Sequence, residues 1–208
     1  MIALEDTARL VAALLAGLLL GSVLPADLLA KRRGIDIRSS GVNNPGTINA
    51  IRVLGWVPGL ITAAYDTTVG ILAIQIARLL GVSEGPAYLA GIMAVVGHRW
   101  PVFQRLGGGG QGMGASAGLV VYGVVIALSR GWLSALDLVG FAVLMGAAFM
   151  WTRSDKIVAI VILPILVLRL SVAHTGWHFL AFVTVVAAHI WVVQLVAIRH
   201  RLPEPIHQ

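Results

Sequence analysis

Between residues 34 and 52 the chain reads Gly-Ile-Asp-Ile-Arg-Ser-Ser-Gly-Val-Asn-Asn-Pro-Gly-Thr-Ile-Asn-Ala-Ile-Arg, a polar stretch flanked by long apolar runs. Turn formers at Gly41, Asn43, Asn44, Pro45 and Gly46 stand beside amide and hydroxyl groups and two guanidinium groups, Arg38 and Arg52. Such a segment can wrap an anion with charge-assisted hydrogen bonds. A second polar stretch, Gly97 to Gly114, holds His98, Arg99, Arg105, Gln111 and six glycines between 107 and 114. Backbone N–H groups unshielded by side chains can cradle phosphate, the more so where a helix begins, here expected near Gly112. The spacing of Gly110, Gly114 and Gly118 by four equally suits close helix packing, and spacing alone leaves both readings open. The run lacks the Gly-Lys-Ser/Thr ending of a nucleotide loop, so ATP and GTP are not implied.

The elements that must position these segments are membrane helices. In 208 residues, 58% are hydrophobic, 12% are charged and the mean hydropathy is +0.91, outside the range of soluble domains. A span of roughly 20 residues places apolar segments at about 8–29, 57–80, 86–98, 113–129, 134–151, 157–172 and 177–198. The expected fold is therefore an all-α polytopic membrane bundle of about seven helices, read as one domain over residues 1–208. The third and sixth segments are short, and Pro164 interrupts the sixth, which leaves counts of five or six open. The first run opens with Glu5 and Asp6 rather than a basic region and is read as a retained helix.

Basic residues orient the bundle, because Lys and Arg are enriched on cytoplasmic ends. With the first helix leaving the membrane at Lys31 on the inner side, only Arg9, Arg78, Arg130 and Arg169 of the 15 basic residues fall outside. The N-terminus is then outside and the C-terminus cytoplasmic. In this topology 34–52, 97–114, Thr152–Lys156 and Arg199–Arg201 all reach the same inner rim. The tryptophans near segment ends suit interfacial anchoring. His174 and His178 have the spacing of a metal pair, but no third ligand lies near, and no metal or other cofactor is implied. Asp66 and His189, ionisable groups inside apolar segments, admit a transport reading.

These segments resemble the motifs of the bacterial acyl-phosphate:glycerol-3-phosphate acyltransferases of the PlsY type. The first motif is matched without a gap by Gly34-Ile-Asp36-Ile-Arg38, Gly41-Val-Asn-Asn44-Pro-Gly46-Thr-Ile-Asn49, Arg52 and Leu54-Gly55. Gly21-Ser22-Val-Leu-Pro25 is similar to the signature upstream of it. The second motif is matched by His98-Arg-Trp-Pro101-Val102-Phe103 and then Leu106 to Gly112, with one extra residue. Asp66 falls on an aspartate that the family places before Lys-Gly, and Arg199-His200 on a C-terminal Arg-His.

The resemblance implies a multi-pass inner-membrane enzyme with its active face in the cytoplasm. It would transfer a fatty acyl group from acyl phosphate to glycerol 3-phosphate, giving lysophosphatidic acid for phospholipid biosynthesis. Its partners are those two substrates and membrane lipids, without nucleic acid. By the same resemblance Arg52 is a candidate catalytic residue that would clamp a substrate phosphate, while His98 and His200, the histidines at the expected inner boundary, are catalytic candidates that could move a proton or equally serve as structural hydrogen-bonding groups. Arg38, Asn44, Gly46, Asn49, Gly109, Gly110, Gln111, Gly112 and Lys156 are candidate substrate and phosphate ligands. The chain departs from the family pattern at Val42, where the family has serine, at Val69 and Gln111, where it has lysine, and in a second loop lysine replaced by glycine. A glutamine offers a dipole where a lysine offers a charge. Lys156 and Arg105 are candidates to compensate, and a relative that binds an anionic lipid or phosphate compound without turnover is the alternative.

Overall fold

In a computed structural model, which describes residues 2–106, 108–173 and 175–199, all the regular structure is helical. Every apolar segment expected from the sequence is a helix, and the polar stretches add two short ones. In chain order the helices are α1 (Ile2–Gly21), α2 (Pro25–Lys31), α3 (Thr47–Leu54), α4 (Trp56–Leu79), α5 (Glu84–Arg99), α6 (Met113–Ser129), α7 (Ala135–Thr152), α8 (Asp155–Val172) and α9 (Trp177–Arg199). A single 3-10 turn covers Val102–Gln104. The chain packs as two compact units, Met1–Tyr122 and Gly123–Gln208.

The expectation of about seven spans is refined by helix length. Among the described residues only α4, α7 and α9 are each long and apolar enough to cross a bilayer unaided. A fourth span results if α1 and α2 are taken together across their 43° bend. The bend falls within the single segment expected over 8–29, and its cause is Pro25, which lacks an N–H and suits the first turn of a new helix. The second departure is α3, formed where a continuous polar loop was expected. Gly46 occupies its N-cap, and Ala50 and Leu54 are buried beside Ala26, Ala30 and Ile37 in a small apolar core beneath the 34–46 loop.

Close helix contact organises the first unit. A side chain at Gly17 or Gly21 on α1 would collide with the backbone of Ala90 or Ala94 on α5, and one at Gly97 with the carbonyl of Leu18. Small residues here let the backbones meet, the packing mode open to helices that gain no hydrophobic drive from lipid. The second unit is built of larger side chains. Val158, Ile162, Leu166 and Leu170 of α8 are buried, as are Phe179, Phe182, Val183, Val186 and Ile190 of α9. None of the residues of α7 is buried. Its capping box joins Ser134 to Asp137, whose carboxylate also accepts two hydrogen bonds from Arg169 at 2.7 and 3.0 Å.

Candidate anion site

Asp27 is the hub on which the polar part of the first unit is assembled. It is 1% exposed, and its carboxylate meets three donors: Arg38 Nη1, Lys31 Nζ at 2.9 Å and Gln104 Nε2 at 3.3 Å. A buried carboxylate needs such compensation, since desolvating a lone charge costs several kcal/mol. Asp27 was not among the sequence candidates. It lies inside the first apolar run, and Gln104 stands 77 residues away in sequence.

Arg38 then links the two polar segments. Its backbone N–H donates to Asp36 Oδ1 at 3.0 Å, its Nε donates to the Gly108 carbonyl at 2.7 Å, and its Nη1 holds Asp27. Gly108 has φ +66°, and a Cβ there would lie 2.6 Å from Arg38 Nε, so the guanidinium lies across a position only glycine can fill. Arg38 Nη2 is buried and has no hydrogen-bond partner among the described residues. Ser22, part of the upstream signature, supports the same junction. Its hydroxyl donates to Leu18 O at 2.7 Å and accepts from Val102 N–H at 3.0 Å, fixing the 3-10 turn to α1.

Asn49 holds the first loop from within. Both amide hydrogens are used, on Ile37 O at 3.1 Å and Ser40 O at 2.9 Å, while its oxygen accepts from Val42 N–H at 2.8 Å. Of the two roles the family resemblance implies for Asn49, supporting the loop or donating to substrate, its hydrogen bonds are those of loop support. Asn44 is half-buried over Gly46 and makes no hydrogen bond among the described residues. Gly46 is the N-cap of α3. Arg52, one turn from the end of α3, is exposed and makes no ion pair or hydrogen bond among the described residues. Arg33 meets the same C-terminal end of that helix, donating to Leu54 O at 2.7 Å.

Of the two roles that spacing left open for the glycines, the structure shows packing. Packing accounts for Gly110, Gly114 and Gly118. A Cβ at Gly110 would strike the His98 imidazole, one at Gly114 would lie 2.7 Å from Asp66 Cβ, and one at Gly118 would strike the carbonyl of Thr67. The N–H of Gly110 donates to His98 O at 3.0 Å, which removes it from the expected phosphate donors. The N–H groups of Gly109 and Gly112 have no such partner among the described residues, and Gln111 is exposed between them. The following helix starts at Met113, where it was expected.

His98 is 2% exposed, under the loop rather than at an open surface. Its Nδ1 stands 3.8 Å from Asp66 Oδ1, and Asp66, also 2% exposed, accepts from Thr47 Oγ1 at 3.4 Å. Lys156 belongs to the second unit, half-buried in the first turn of α8. His200 lies outside the described residues. Of the candidates, Arg38, Gly109, Gly110 and His98 come together through the contacts above, and Asn44, Gly46 and Asn49 belong to the loop that Arg38 ties to them.

Comparison with known proteins accords with this arrangement. The model of the glycerol-3-phosphate acyltransferase family matches residues 11–203. The chain belongs to that family. It is 33% identical over 179 residues to glycerol-3-phosphate acyltransferase 2 of Moorella thermoacetica, covering 85% of each chain. It is 42% identical over 108 residues to glycerol-3-phosphate acyltransferase 1 of Deinococcus radiodurans, a stretch of 52% of this chain that spans about half, 54%, of that relative.

Crystal structures of PlsY, an integral membrane glycerol 3-phosphate acyltransferase, share its fold. The glycerol 3-phosphate form has a TM-score of 0.68 at 25% identity, and the lysophosphatidic acid form 0.67 at 27%. Each alignment covers 92% of this chain and 90% of the other. As a member of this family the chain is an integral membrane, acyltransferase-like protein. Of its departures from the family pattern, Val42 is 48% exposed and Gln111 is exposed, whereas Val69, at 1%, is buried in α4.

Proposed function

We propose that this chain transfers a fatty acyl group from acyl phosphate to glycerol 3-phosphate. In the net reaction the primary hydroxyl oxygen bonds to the acyl carbon, the bond from that carbon to the phosphate oxygen breaks, and the hydroxyl proton leaves with inorganic phosphate. The product is lysophosphatidic acid. The observation that supports this reading is the hydrogen bond from Arg38 to the Gly108 carbonyl, which joins the two polar segments of a glycerol-3-phosphate acyltransferase family member.

Within this reading Arg52 binds a substrate phosphate from the exposed face of α3, with Asn44 and the N–H groups of Gly46, Gly109 and Gly112 as neutral donors. No side chain at the site is an activated nucleophile. Catalysis therefore rests on positioning and on fixed donors opposite the phosphate charge, with inorganic phosphate as a good leaving group. Gln111, Lys156 and His200 complete the proposed set, and the family match over 11–203 supports treating both packing units as one functional domain.

The same reading places the protein in a bacterial inner membrane with the N-terminus outside and both polar loops in the cytoplasm, supported by the eleven basic residues that fall on that side. The test is purified protein with palmitoyl phosphate and labelled glycerol 3-phosphate. Labelled lysophosphatidic acid is expected. Saturable substrate binding without product would instead identify a non-catalytic binder, a reading favoured by the loss of serine at Val42 and of lysine at Gln111.

A further inference from the structure

Asp66 and His98 are nearly enclosed, at 2% exposure each. Neither faces open space, so neither is placed to touch a soluble phosphate compound. Each instead touches parts of the polar segments. Asp66 accepts from Thr47 Oγ1 at 3.4 Å, at the first residue of the helix that carries Arg52, and its Cβ lies against Gly114 at the start of α6. His98 lies beneath Gly110, takes that residue's N–H on its carbonyl at 3.0 Å, and approaches Asp66 with Nδ1 at 3.8 Å. A continuous path of contacts thus runs from α3 through Asp66 and His98 to the glycine loop.

We propose that Asp66 and His98 are positioning residues, a buried floor that sets the placement of the Arg52 helix relative to the glycine loop. They act through Thr47, Gly110 and Gly114 and make no contact with substrate. The proposal rests on the acyl-transfer reading for its functional consequence, though not for its structural one. Arg38 ties the loops from the exposed side through Gly108, and the Asp66–His98 pair ties them from the buried side. Two ties on opposite sides fix an orientation that one would leave free to rock, and an anion gripped from both loops is sensitive to that freedom.

The absence of cysteine makes the structural half directly measurable. Spin labels at Val42→Cys and Gln111→Cys, on exposed positions of the two segments, report their separation by electron spin resonance in detergent-purified protein. Asp66→Leu, which keeps the branching of Asp at Cγ but cannot accept from Thr47, is expected to broaden and shift that separation, and Asp66→Asn, which retains an acceptor, to restore it. On the cysteine-free background Asp66→Leu should raise KM for glycerol 3-phosphate about tenfold while kcat stays within about threefold.

Gly114→Ala, which places a methyl group against Asp66 Cβ, should reproduce both effects and carries the test alone if Asp66→Leu does not fold. An unchanged label separation in both variants overturns the proposal, as does a fall in kcat without any change in separation, which would put Asp66 in contact with the reacting groups. If the unsubstituted protein makes no lysophosphatidic acid, the acyl-transfer reading fails, and the label separations still decide the role of the floor.

Discussion

The two packing units solve the problem of a membrane interior in different ways. Every buried polar or charged residue among those described, namely Ser22, Asp27, Asn49, Thr62, Asp66, His98 and Ser116, lies in the first unit. The second unit buries aliphatic and aromatic side chains, and its bidentate Arg169–Asp137 pair sits at a partly exposed helix end. Glycine usage divides the same way. Cβ atoms at Gly17, Gly21, Gly97 and Gly118 would run into backbone, whereas Gly140 and Gly146 of α7 face open space. A polar group inside a bilayer is retained where it has a task. The contrast puts the buried polar groups in the first unit and an apolar scaffold in the second.

The most damaging change expected is Asp27→Ala, which strands Arg38 and Lys31 beside a buried void. Loss of one partner from a buried ion pair predicts destabilisation of about 3 kcal/mol, read as a large fall in the detergent melting temperature together with loss of activity. Arg52→Ala separates function from folding, because the guanidinium makes no internal bond among the described residues. Lysophosphatidic acid formation should fall about a hundredfold or more at an unchanged melting temperature. Unaltered product formation would remove Arg52 from the site.

Smaller effects sharpen the comparison. Restoring the family residues with Val42→Ser and Gln111→Lys together should raise turnover about tenfold, the scale of one added charge-assisted contact. No gain would show that those departures do not limit the rate. Gly118→Ala should cost about 1–3 kcal/mol by forcing α6 from the Thr67 carbonyl, whereas Gly140→Ala should stay within about 1 kcal/mol. Equal costs at the two positions would erase the packing contrast between the units. The smallest effect is expected from Asp137→Asn, which removes the charge from a partly exposed pair but keeps an acceptor for Arg169, and should leave both activity and melting temperature nearly unchanged.

Much of this is legible along the chain, but unevenly. Apolar runs of span length mark the helices because every membrane helix must cover its own backbone, and the start of α6 follows from the glycines that precede it. Spacing also puts Gly114 and Gly118 on one face of α6, with Gly110 in the loop before it. What hid the rest was distance in sequence and local disguise. Asp27 reads as a stray acid at the end of an apolar run until Arg38 and Gln104, 11 and 77 residues away, are seen to reach it. α3 is disguised by Thr47, Asn49 and Arg52, polar residues that read as loop while Ala50 and Leu54 bury a helical face. Asn49 reads as a ligand because an amide in a turn-rich segment looks free, and only the coordinates show its hydrogens used on Ile37 and Ser40. His98, expected at an accessible rim, lies under Gly110 because a glycine loop folds back over the end of α5.

The central claim is that acyl transfer takes place where the two loops of the first unit meet. Its most direct test is the initial rate of lysophosphatidic acid formation from palmitoyl phosphate and glycerol 3-phosphate, compared between Arg38→Ala and Asp137→Asn. The expected result is near-complete loss in the first and a rate close to that of the unsubstituted protein in the second. Robust product from Arg38→Ala, or loss confined to Asp137→Asn, would contradict it.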